Sequence, residues 1–302
     1  MLHVTTPLLD DVETSTRIGR RVTLKMECFQ PVGSFKIRGI GLLCERSAAE
    51  GKRRFVSSSG GNAGFAATYA ARELGLAATV VVPSTTATAT RDLMSLYGAE
   101  VVVHGDVWDV ADLHARELAS APDAAYIPPF DHPTLWEGHA SLIDEMAKAA
   151  DKPDTIIVSV GGGGLMCGVL EGLHRNGWDD VKVIAVETEG AESLHRAIAE
   201  GKLVTLPAIT SIAKSLGARR VAAEALRWTT RHPVESVVVS DESALRACVQ
   251  FARNHRVLVE PACGASLAVV HENHPSLGEA RHVAVVVCGG ISVGAVVDAL
   301  AQ

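Results

Sequence analysis

The segment IIVSVGGGGLMCGVLEGLH, residues 156–174, decides the predicted fold. Its first five residues, 156–160, form a short apolar run rich in β-branched side chains, which is typical of a strand buried on both faces. Four consecutive glycines follow at 161–164, and the residues from Leu165 onward have the composition of a helix. A strand, a tight turn and a helix in this order are the repeating unit of a parallel α/β sheet.

The same alternation of strand and helix patterns continues along the chain. Further short apolar runs, which we predict to be strands, lie at residues 22–26, 55–57, 79–82, 100–103, 181–186, 237–239 and 283–287. Helical patterns lie between them, at residues 62–74, 91–97, 107–120, 135–149, 165–174 and 242–254. The Pro-rich segment 126–138 interrupts the alternation and is a predicted crossing between two domains. We therefore expect an α/β protein with mostly parallel sheets.

Length and composition restrict the class of protein. A chain of 302 residues is long enough for about two domains. With 47% apolar and 21% charged residues, the composition is that of a globular protein. The net charge of −7 argues against a general nucleic-acid partner, because phosphate binding relies on clustered Lys and Arg.

Neither a membrane segment nor an export signal is predicted. The longest uncharged apolar stretch, 283–297, has 15 residues, whereas a membrane-spanning helix needs about 20. The N-terminus has no basic segment followed by an apolar one, as a secretory signal would have. The six cysteines show no CxxC spacing, which favours neither a disulfide framework nor a zinc site. We expect a protein of the reducing cytoplasm.

Glycine-rich turns follow three of the predicted strands, at the strand ends where parallel sheets bind ligands. The first is SSSGGNAG at 57–64, which opens a helix. Its Ser and Asn side chains could simply cap that helix. Alternatively, glycine lets the backbone N–H groups turn inward at the positive end of the helix, which would make a pocket for a carboxylate. Both interpretations stay open from the residues alone.

The second turn, at 161–164, points more strongly to a ligand. Four consecutive glycines are costly in conformational entropy, and a phosphate held by backbone N–H groups explains them better than a plain turn. A Walker loop is excluded because no Gly-Lys-Ser/Thr follows. The third glycine of a GxGxxG dinucleotide fingerprint is missing, yet Glu187 could serve as the ribose-binding acid. A nicotinamide-dependent dehydrogenase therefore stays an alternative.

The third turn is Cys288-Gly289-Gly290. A cysteine at a strand end is more often a packing residue than a reactive one.

A further motif, GSFKIRG at 33–39, lies near the N-terminus. Lys36 is flanked by Phe35 and Ile37, and an amine among apolar groups loses its proton more easily and can form a Schiff base. A phosphate cradle, a reactive lysine and a carboxylate pocket together suggest pyridoxal 5′-phosphate and an amino-acid substrate.

The order of these motifs resembles that of a known family. GSFKIRG, SSSGGNAG, SVGGGGL, VETEGAESL and VCGG follow one another as in the fold type II pyridoxal-phosphate enzymes, and within them as in the L-serine dehydratase / L-threonine deaminase group with its serine-dehydratase-like members. The stretches PPFDHPTLWEGHAS, GKLVTLPAITSIAKSLGA and LVEPACGASLA resemble the same group. The resemblance runs from about residue 4 to the end. It implies two open twisted, mostly parallel sheets flanked by helices, with a large cofactor-binding domain at 1–36 plus 133–302 and a small domain at 37–132 inserted in it.

The resemblance also implies roles for individual residues. Lys36 would hold the cofactor covalently and act in catalysis, Phe35 would pack on the pyridine ring, and Cys288 would face the pyridine nitrogen. The cofactor phosphate would be bound by Gly161, Gly162, Gly163, Gly164 and Leu165. The substrate carboxylate would be held by Ser59, Gly60, Gly61 and Asn62, of which Asn62 would also hydrogen-bond the 3′ oxygen of the cofactor.

A monovalent-cation site is implied as well. It would consist of Glu187, Ala191, Ser193, Leu216 and Ala218, and its oxygen ligands would suit potassium. A salt bridge is the alternative explanation of Glu187.

The activity implied is β-elimination of L-serine to pyruvate and ammonia and of L-threonine to 2-oxobutanoate and ammonia, by a homodimer. A serine racemase or a β-replacement synthase of the same fold, and a catalytically inactive pyridoxal-phosphate-binding protein, are the alternatives. Two positions differ from the best-known serine dehydratases. Gly60 stands where they have Ala, and the segment after Gly290 is two residues shorter and lacks an Asn.

Overall fold

The computed structural model describes residues 1–149 and 151–301. The chain divides into two compact units. The first unit comprises Met1–Val4, Gln30–Val32 and Lys36–Gly138, and the second comprises Thr5–Phe29, Gly33–Phe35 and His139–Gln302. The chain therefore passes from the second unit to the first between Phe35 and Lys36.

Strands and helices alternate along most of the described chain. The strands are β1 Leu8–Asp10, β2 Arg21–Lys25, β3 Arg54–Ser57, β4 Ala77–Val82, β5 Glu100–Val103, β6 Ala124–Tyr126, β7 Thr155–Ser159, β8 Lys182–Thr188, β9 Val234–Val239 and β10 His282–Val286. The α-helices are α1 Val12–Ile18, α2 Lys36–Ala49, α3 Asn62–Leu74, α4 Thr88–Leu96, α5 Trp108–Leu118, α6 Pro133–Ala149, α7 Gly164–Arg175, α8 Ser193–Glu200, α9 Ala223–Trp228, α10 Asp241–His255, α11 Pro261–His271 and α12 Gly294–Leu300. Single turns of 3-10 helix lie at Glu27–Phe29, Lys214–Leu216 and Pro275–Leu277.

The first unit is built on a four-stranded parallel sheet in the order β5-β4-β3-β6. Its central strands β3 and β4 carry consecutive buried residues, as strands covered on both faces must. Helix α5 contributes Ala111 and Ala115 to a core cluster with Val56, Val81 and Ala124 from the sheet. Small side chains at these helix positions let α5 lie close to the strands.

The second unit is built on a six-stranded sheet in the order β1-β2-β10-β7-β8-β9. The edge strand β1 runs antiparallel to β2, and every other pair is parallel. Strand β7 is buried along its whole length. Helix α11 is also buried at every residue, which explains why its sequence is apolar all round.

The predicted fold class is confirmed: both sheets are mostly parallel and alternate in sequence with helices. All strands and helices predicted from the sequence are present, with ends that agree within a few residues, whereas β1, β6, α1, α2, α8, α9 and α11 were not predicted. The glycine-rich turns follow β3, β7 and β10, at carboxyl ends of parallel strands. Within residues 1–149 and 151–301, each helix is too short or too polar to cross a bilayer.

Candidate active site

In the first unit, the turn between β3 and α3 forms a backbone pocket at a helix start. Gly61 precedes the helix, and no side chain of the described residues caps it. A Cβ at Gly64 would overlap the carbonyl oxygen of Ser59, so only glycine lets this turn fold back onto the first turn of α3. Ser59, Gly60 and Gly61 are partly exposed. The first N–H groups of α3 can therefore donate hydrogen bonds to an anion such as a carboxylate.

Lys36 lies in the same unit and is the first residue of α2. It is half-buried, and its Nζ donates a hydrogen bond to the carbonyl oxygen of Pro129 at 2.5 Å. Pro129 follows β6, so the contact joins the start of α2 to the segment that leaves the sheet. The sequence motif predicted a reactive lysine here but not its position at a helix start.

In the second unit, the turn after β7 is shaped by close packing of backbone. A Cβ at Gly161 would lie 2.9 Å from Leu216 Cα and from the carbonyl oxygen of Ser215. Gly163 has φ +89°, the left-handed region that favours glycine, and a Cβ there would lie 2.5 Å from Ala225 Cβ. Neither position tolerates a side chain without displacement of its neighbours.

The same turn opens helix α7, which begins at Gly164 and is followed by buried Leu165. No side chain of the described residues caps this helix start, so its first N–H groups have no side-chain acceptor. A turn without side chains at the positive end of a twelve-residue helix fits a phosphate group. Phosphate is also the group that the sequence predicted for residues 161–165, and that assignment stays a prediction.

The turn after β10 brings Cys288 next to Phe35. The amide of Phe35 donates to the carbonyl oxygen of Cys288 at 3.2 Å, and Ser34 and Gly289 form an antiparallel bridge. The Phe35 ring packs edge-on against His139, with ring centroids 4.9 Å apart. Two residues that are distant in sequence are thus joined through the backbone of one unit.

The Cys288 thiol is buried and neutral. A hydrogen bond with Cys263 and burial raise the pKa of the Cys288 thiol well above its ordinary value. Burial likewise raises the pKa of the nearby Cys28 thiol, to about 12. This end of β10 therefore presents a weak, uncharged hydrogen-bonding group.

Glu260, which sequence reasoning missed, lies against the turn after β10. It precedes α11, is 2% exposed, and its carboxyl group occupies the space that a Cβ at Gly290 would fill. Its Oε2 accepts a hydrogen bond from the amide of Ser292 at 3.2 Å. This contact anchors the segment after Gly290. The only sequence signal was a Glu-Pro pair, which usually marks nothing more than a helix start.

Glu187 is the last but one residue of β8, and its carboxylate accepts hydrogen bonds from amides of the first turn of α8. Its Oε1 accepts from the amide of Leu194 at 2.8 Å, and its Oε2 accepts from the amide of His195 at 2.7 Å. Burial raises the pKa of Glu187 to about 8, although these two hydrogen bonds act to lower it. Its partners in the described chain are backbone amides rather than a basic side chain.

The other residues predicted with Glu187 lie in two places. Ala191 is buried in the loop between β8 and α8, and Ser193 is the buried first residue of α8. Ser193 Oγ has no hydrogen-bond partner among the residues that the structure describes. Leu216 lies in the 3-10 turn against Gly161, and its carbonyl oxygen accepts from the amide of Ala218 at 2.8 Å. Searched over residues 1–149 and 151–301, the chain holds no cluster of three or more His, Cys, Asp or Glu suited to a metal ion.

Comparison with known proteins gives consistent results. A family model described as pyridoxal-phosphate dependent enzyme matches residues 1–289. The L-serine dehydratase/L-threonine deaminase of Homo sapiens is 50% identical over 302 residues, which cover 97% of this chain and 92% of the relative. The serine dehydratase-like protein of Homo sapiens is 48% identical over 303 residues, covering 96% of this chain and 91% of the relative. The crystal structure of a fungal L-serine ammonia-lyase from Rhizomucor miehei superposes with a TM-score of 0.92 at 36% identity, covering 99% of this chain and 97% of that one.

Proposed function

Because the chain belongs to the family of pyridoxal-phosphate dependent enzymes, we propose that it eliminates water from L-serine to give pyruvate and ammonia, and converts L-threonine to 2-oxobutanoate and ammonia. The observation that carries this proposal is the match over almost the whole chain to proteins named for these substrates. The uncapped turns before α3 and α7 support it, because they suit the two anions that such a reaction requires, a carboxylate and a phosphate.

The residues of the second unit would hold the ring and phosphate of the cofactor. Phosphate would be bound by the N–H groups of Gly161, Gly162, Gly163, Gly164 and Leu165. Phe35 would pack on the pyridine ring, with Cys288 at the pyridine nitrogen. When bound, pyridoxal phosphate withdraws electrons from the Cα of an amino acid. A neutral thiol cannot hold the pyridine nitrogen protonated as a carboxylate would, which favours elimination over transamination.

The residues of the first unit would act on the amino acid. Lys36 would hold the cofactor at rest and, once the amino acid takes its place, remove the Cα proton as general base. The amides of Ser59, Gly60, Gly61 and Asn62 would hold the substrate carboxylate, and the Asn62 side chain would hydrogen-bond the 3′ oxygen of the cofactor. These roles assign proton transfer to one side chain and charge stabilisation to backbone amides.

A monovalent cation such as potassium would complete the loop before α8. A buried carboxylate is costly when ionised, and a cation ligated by Glu187 would remove that cost. The buried Ser193 Oγ supports the proposal, because it has no partner in the described chain. Carbonyl oxygens at Ala191, Leu216 and Ala218 would supply the remaining ligands.

We also propose that the chain has a large domain at 1–36 plus 133–302 and a small domain at 37–132. A homodimer and a cytoplasmic location stay predictions from the resemblance.

Substitution of Lys36 tests the proposed function. Purified wild type incubated with L-serine or L-threonine is expected to release ammonia together with pyruvate or 2-oxobutanoate. Lys36→Ala is expected to abolish release and the visible absorbance of the lysine-bound cofactor. Lys52→Ala is a matched control, since the Nζ of Lys52 also donates to a proline carbonyl, that of Pro122 at 2.9 Å, but on the surface. D-serine as the dominant product without pyruvate would instead indicate a racemase, and bound cofactor without any product would indicate an inactive binding protein.

A further inference from the structure

Ser58 connects the predicted carboxylate pocket to a buried acid. It lies between the last residue of β3 and the turn Ser59–Asn62, and it is fully buried. Its Oγ donates a hydrogen bond to Oδ1 of Asp112 at 2.6 Å. Asp112 belongs to α5 and is 8% exposed, so this bond joins the turn to a helix that follows it by about fifty residues.

The Asp112 carboxylate is held by two further donors. The Tyr126 hydroxyl donates to the same Oδ1, and Nε of Arg116 donates to Oδ2 at 2.8 Å. The Arg116 guanidinium also lies over the Tyr126 ring, 4.2 Å from its centroid. Burial by itself would raise the pKa of Asp112, but the hydrogen bonds from Ser58, Tyr126 and Arg116 bring the pKa below its usual range. The acid therefore stays ionised, with both oxygens engaged.

This arrangement fixes one end of the turn while backbone packing fixes the other. Asp112 ties the end of β3, helix α5 and the last residue of β6 to one carboxylate. At the far end, Gly64 packs directly against the Ser59 carbonyl. The partly exposed amides of the turn lie between these two points of attachment. A charge-assisted hydrogen bond in a buried position is among the stronger constraints a protein can place on a loop.

We propose that Asp112 is a positioning residue that, through Ser58, sets the affinity of the turn Ser59–Asn62 for the carboxylate of the amino-acid substrate. The proposal rests on the proposed function, because that assigns the substrate carboxylate to this turn. Asp112 itself does not touch the substrate. Its effect on the reaction is expected in substrate binding, with the chemical step left intact.

The test separates loop rigidity from ligand binding. Amide hydrogen exchange of the peptide covering residues 57–65, read by mass spectrometry, measures how firmly the turn is held. The dissociation constant for L-alanine, read from the absorbance of the cofactor-loaded protein, measures carboxylate binding by an amino acid that has no leaving group. The variants are Ser58→Ala, Asp112→Asn and their double, with Glu117→Gln as control, because Glu117 lies on the exposed face of the same helix.

Faster exchange in the 57–65 peptide and weaker L-alanine binding are expected together. Ser58→Ala should weaken L-alanine binding by about tenfold, the value of one charge-assisted hydrogen bond of moderate strength. The KM for L-serine should rise to a similar extent while kcat stays within about threefold, whereas a merely structural defect would lower the active fraction without changing KM. Asp112→Asn should have a smaller effect, since the amide oxygen can still accept from Ser58. The double variant should bind no more weakly than Ser58→Ala, because both changes break one connection.

Unchanged exchange and unchanged L-alanine binding in Ser58→Ala would overturn the proposal. So would weaker binding in Asp112→Asn that Ser58→Ala does not reproduce, because the acid would then act by another route. Faster exchange with unchanged L-alanine binding would show that Asp112 holds a turn that is not a carboxylate site. Failure of wild type to bind L-alanine at all would count against the proposed function, and the exchange data would still decide whether Asp112 holds the turn.

Discussion

Replacing Gly163 with Ala should affect both the stability of the protein and its binding of phosphate, and the two effects can be measured separately. Gly163 has φ +89°, and a Cβ there would lie 2.5 Å from Ala225 Cβ and 3.0 Å from Val221 Cγ2. The left-handed conformation costs an alanine about 1–2 kcal/mol, and forcing a methyl group into a packed interior adds about 1–3 kcal/mol. We therefore expect the free energy of unfolding of the cofactor-free protein to fall by about 2–5 kcal/mol, measured by urea denaturation.

Gly177 supplies the matched control at the other end of the same helix. It has φ +68°, but a Cβ there would meet nothing within 4 Å. Gly177→Ala should therefore lose only the conformational part, about 1–2 kcal/mol. The difference in unfolding free energy between the two variants measures the collision with α9.

Cofactor binding then tests the phosphate site itself. Relief of the collision must shift the backbone of Gly163, and with it the N–H groups that begin α7. Loss of one hydrogen bond to a charged group should weaken pyridoxal-phosphate binding by roughly ten- to a hundredfold. Binding of pyridoxal, which has no phosphate, should not change. An equal loss for both ligands, or equal cofactor affinity in Gly163→Ala and Gly177→Ala, would refute the assignment of residues 161–165 to phosphate.

Three further predictions follow from single positions. A Cβ at Gly60 would lie 2.7 Å from the ends of the Thr86 side chain, so Gly60→Ala should raise the KM for L-serine. Adding Thr86→Ala should restore the KM, and steady-state kinetics without such a rescue would contradict a collision with Thr86. The raised pKa of Glu187, about 8 against an ordinary 4.5, means that its contribution to stability is greatest below pH 4.5 and is lost as pH rises through 8. Potassium should therefore raise the urea midpoint of wild type over tetramethylammonium at pH 9 but leave Glu187→Gln unchanged, and an equal response of both proteins would exclude Glu187 as a ligand. Burial lowers the pKa of His271 from 6.5 to about 4, so the stability that the neutral imidazole provides above pH 6.5 is lost as pH falls towards 4. Between pH 7 and pH 4.5, the free energy of unfolding of wild type should therefore fall by about 2 kcal/mol more than that of His271→Leu in urea titrations. Parallel losses in the two proteins would show that His271 is not the group responsible.

Local sequence signals were sufficient for part of the fold. Helix α3 was predicted from residue 62 to residue 74 because glycines stand at both ends of an alanine-rich segment, and it has those bounds. Helix α11 was missed because it is buried at every residue and has no amphipathic period to detect. Helix α2 was missed because Gly39 and Gly41 lower its helix propensity, which tertiary packing overrides. Strands β1 and β6 have three residues each, too few for an alternating pattern.

For the candidate site, sequence patterns allowed a prediction of the ligand chemistry but not of the arrangement. The glycines at 161–164 indicated an anion, because their N–H groups have few other uses. The backbone contact between Phe35 and Cys288 depends on β2 lying beside β10 in the sheet, which is decided by long-range pairing. Asp112 and Arg116 have the i,i+4 spacing of an ion pair on a solvated helix face. The structural role of Asp112 depends on hydrogen bonds from the hydroxyl groups of Ser58 and Tyr126, which are distant from it in sequence.

The chain offers backbone amides rather than basic side chains at both of its proposed anion-binding turns. In the turns before α3 and α7, the motif residues 57–64 and 161–165 include no Lys or Arg. Amides at helix starts carry a fixed partial positive charge that does not titrate, so binding of phosphate and carboxylate there should not depend on the protonation of a basic partner. The Cys288 thiol, neutral because a Cys263 hydrogen bond and burial raise its pKa, adds no charge that changes near neutral pH. Among the groups proposed to touch the cofactor or the substrate, Lys36 is therefore the one side chain that the proposed reaction requires to gain and lose a proton.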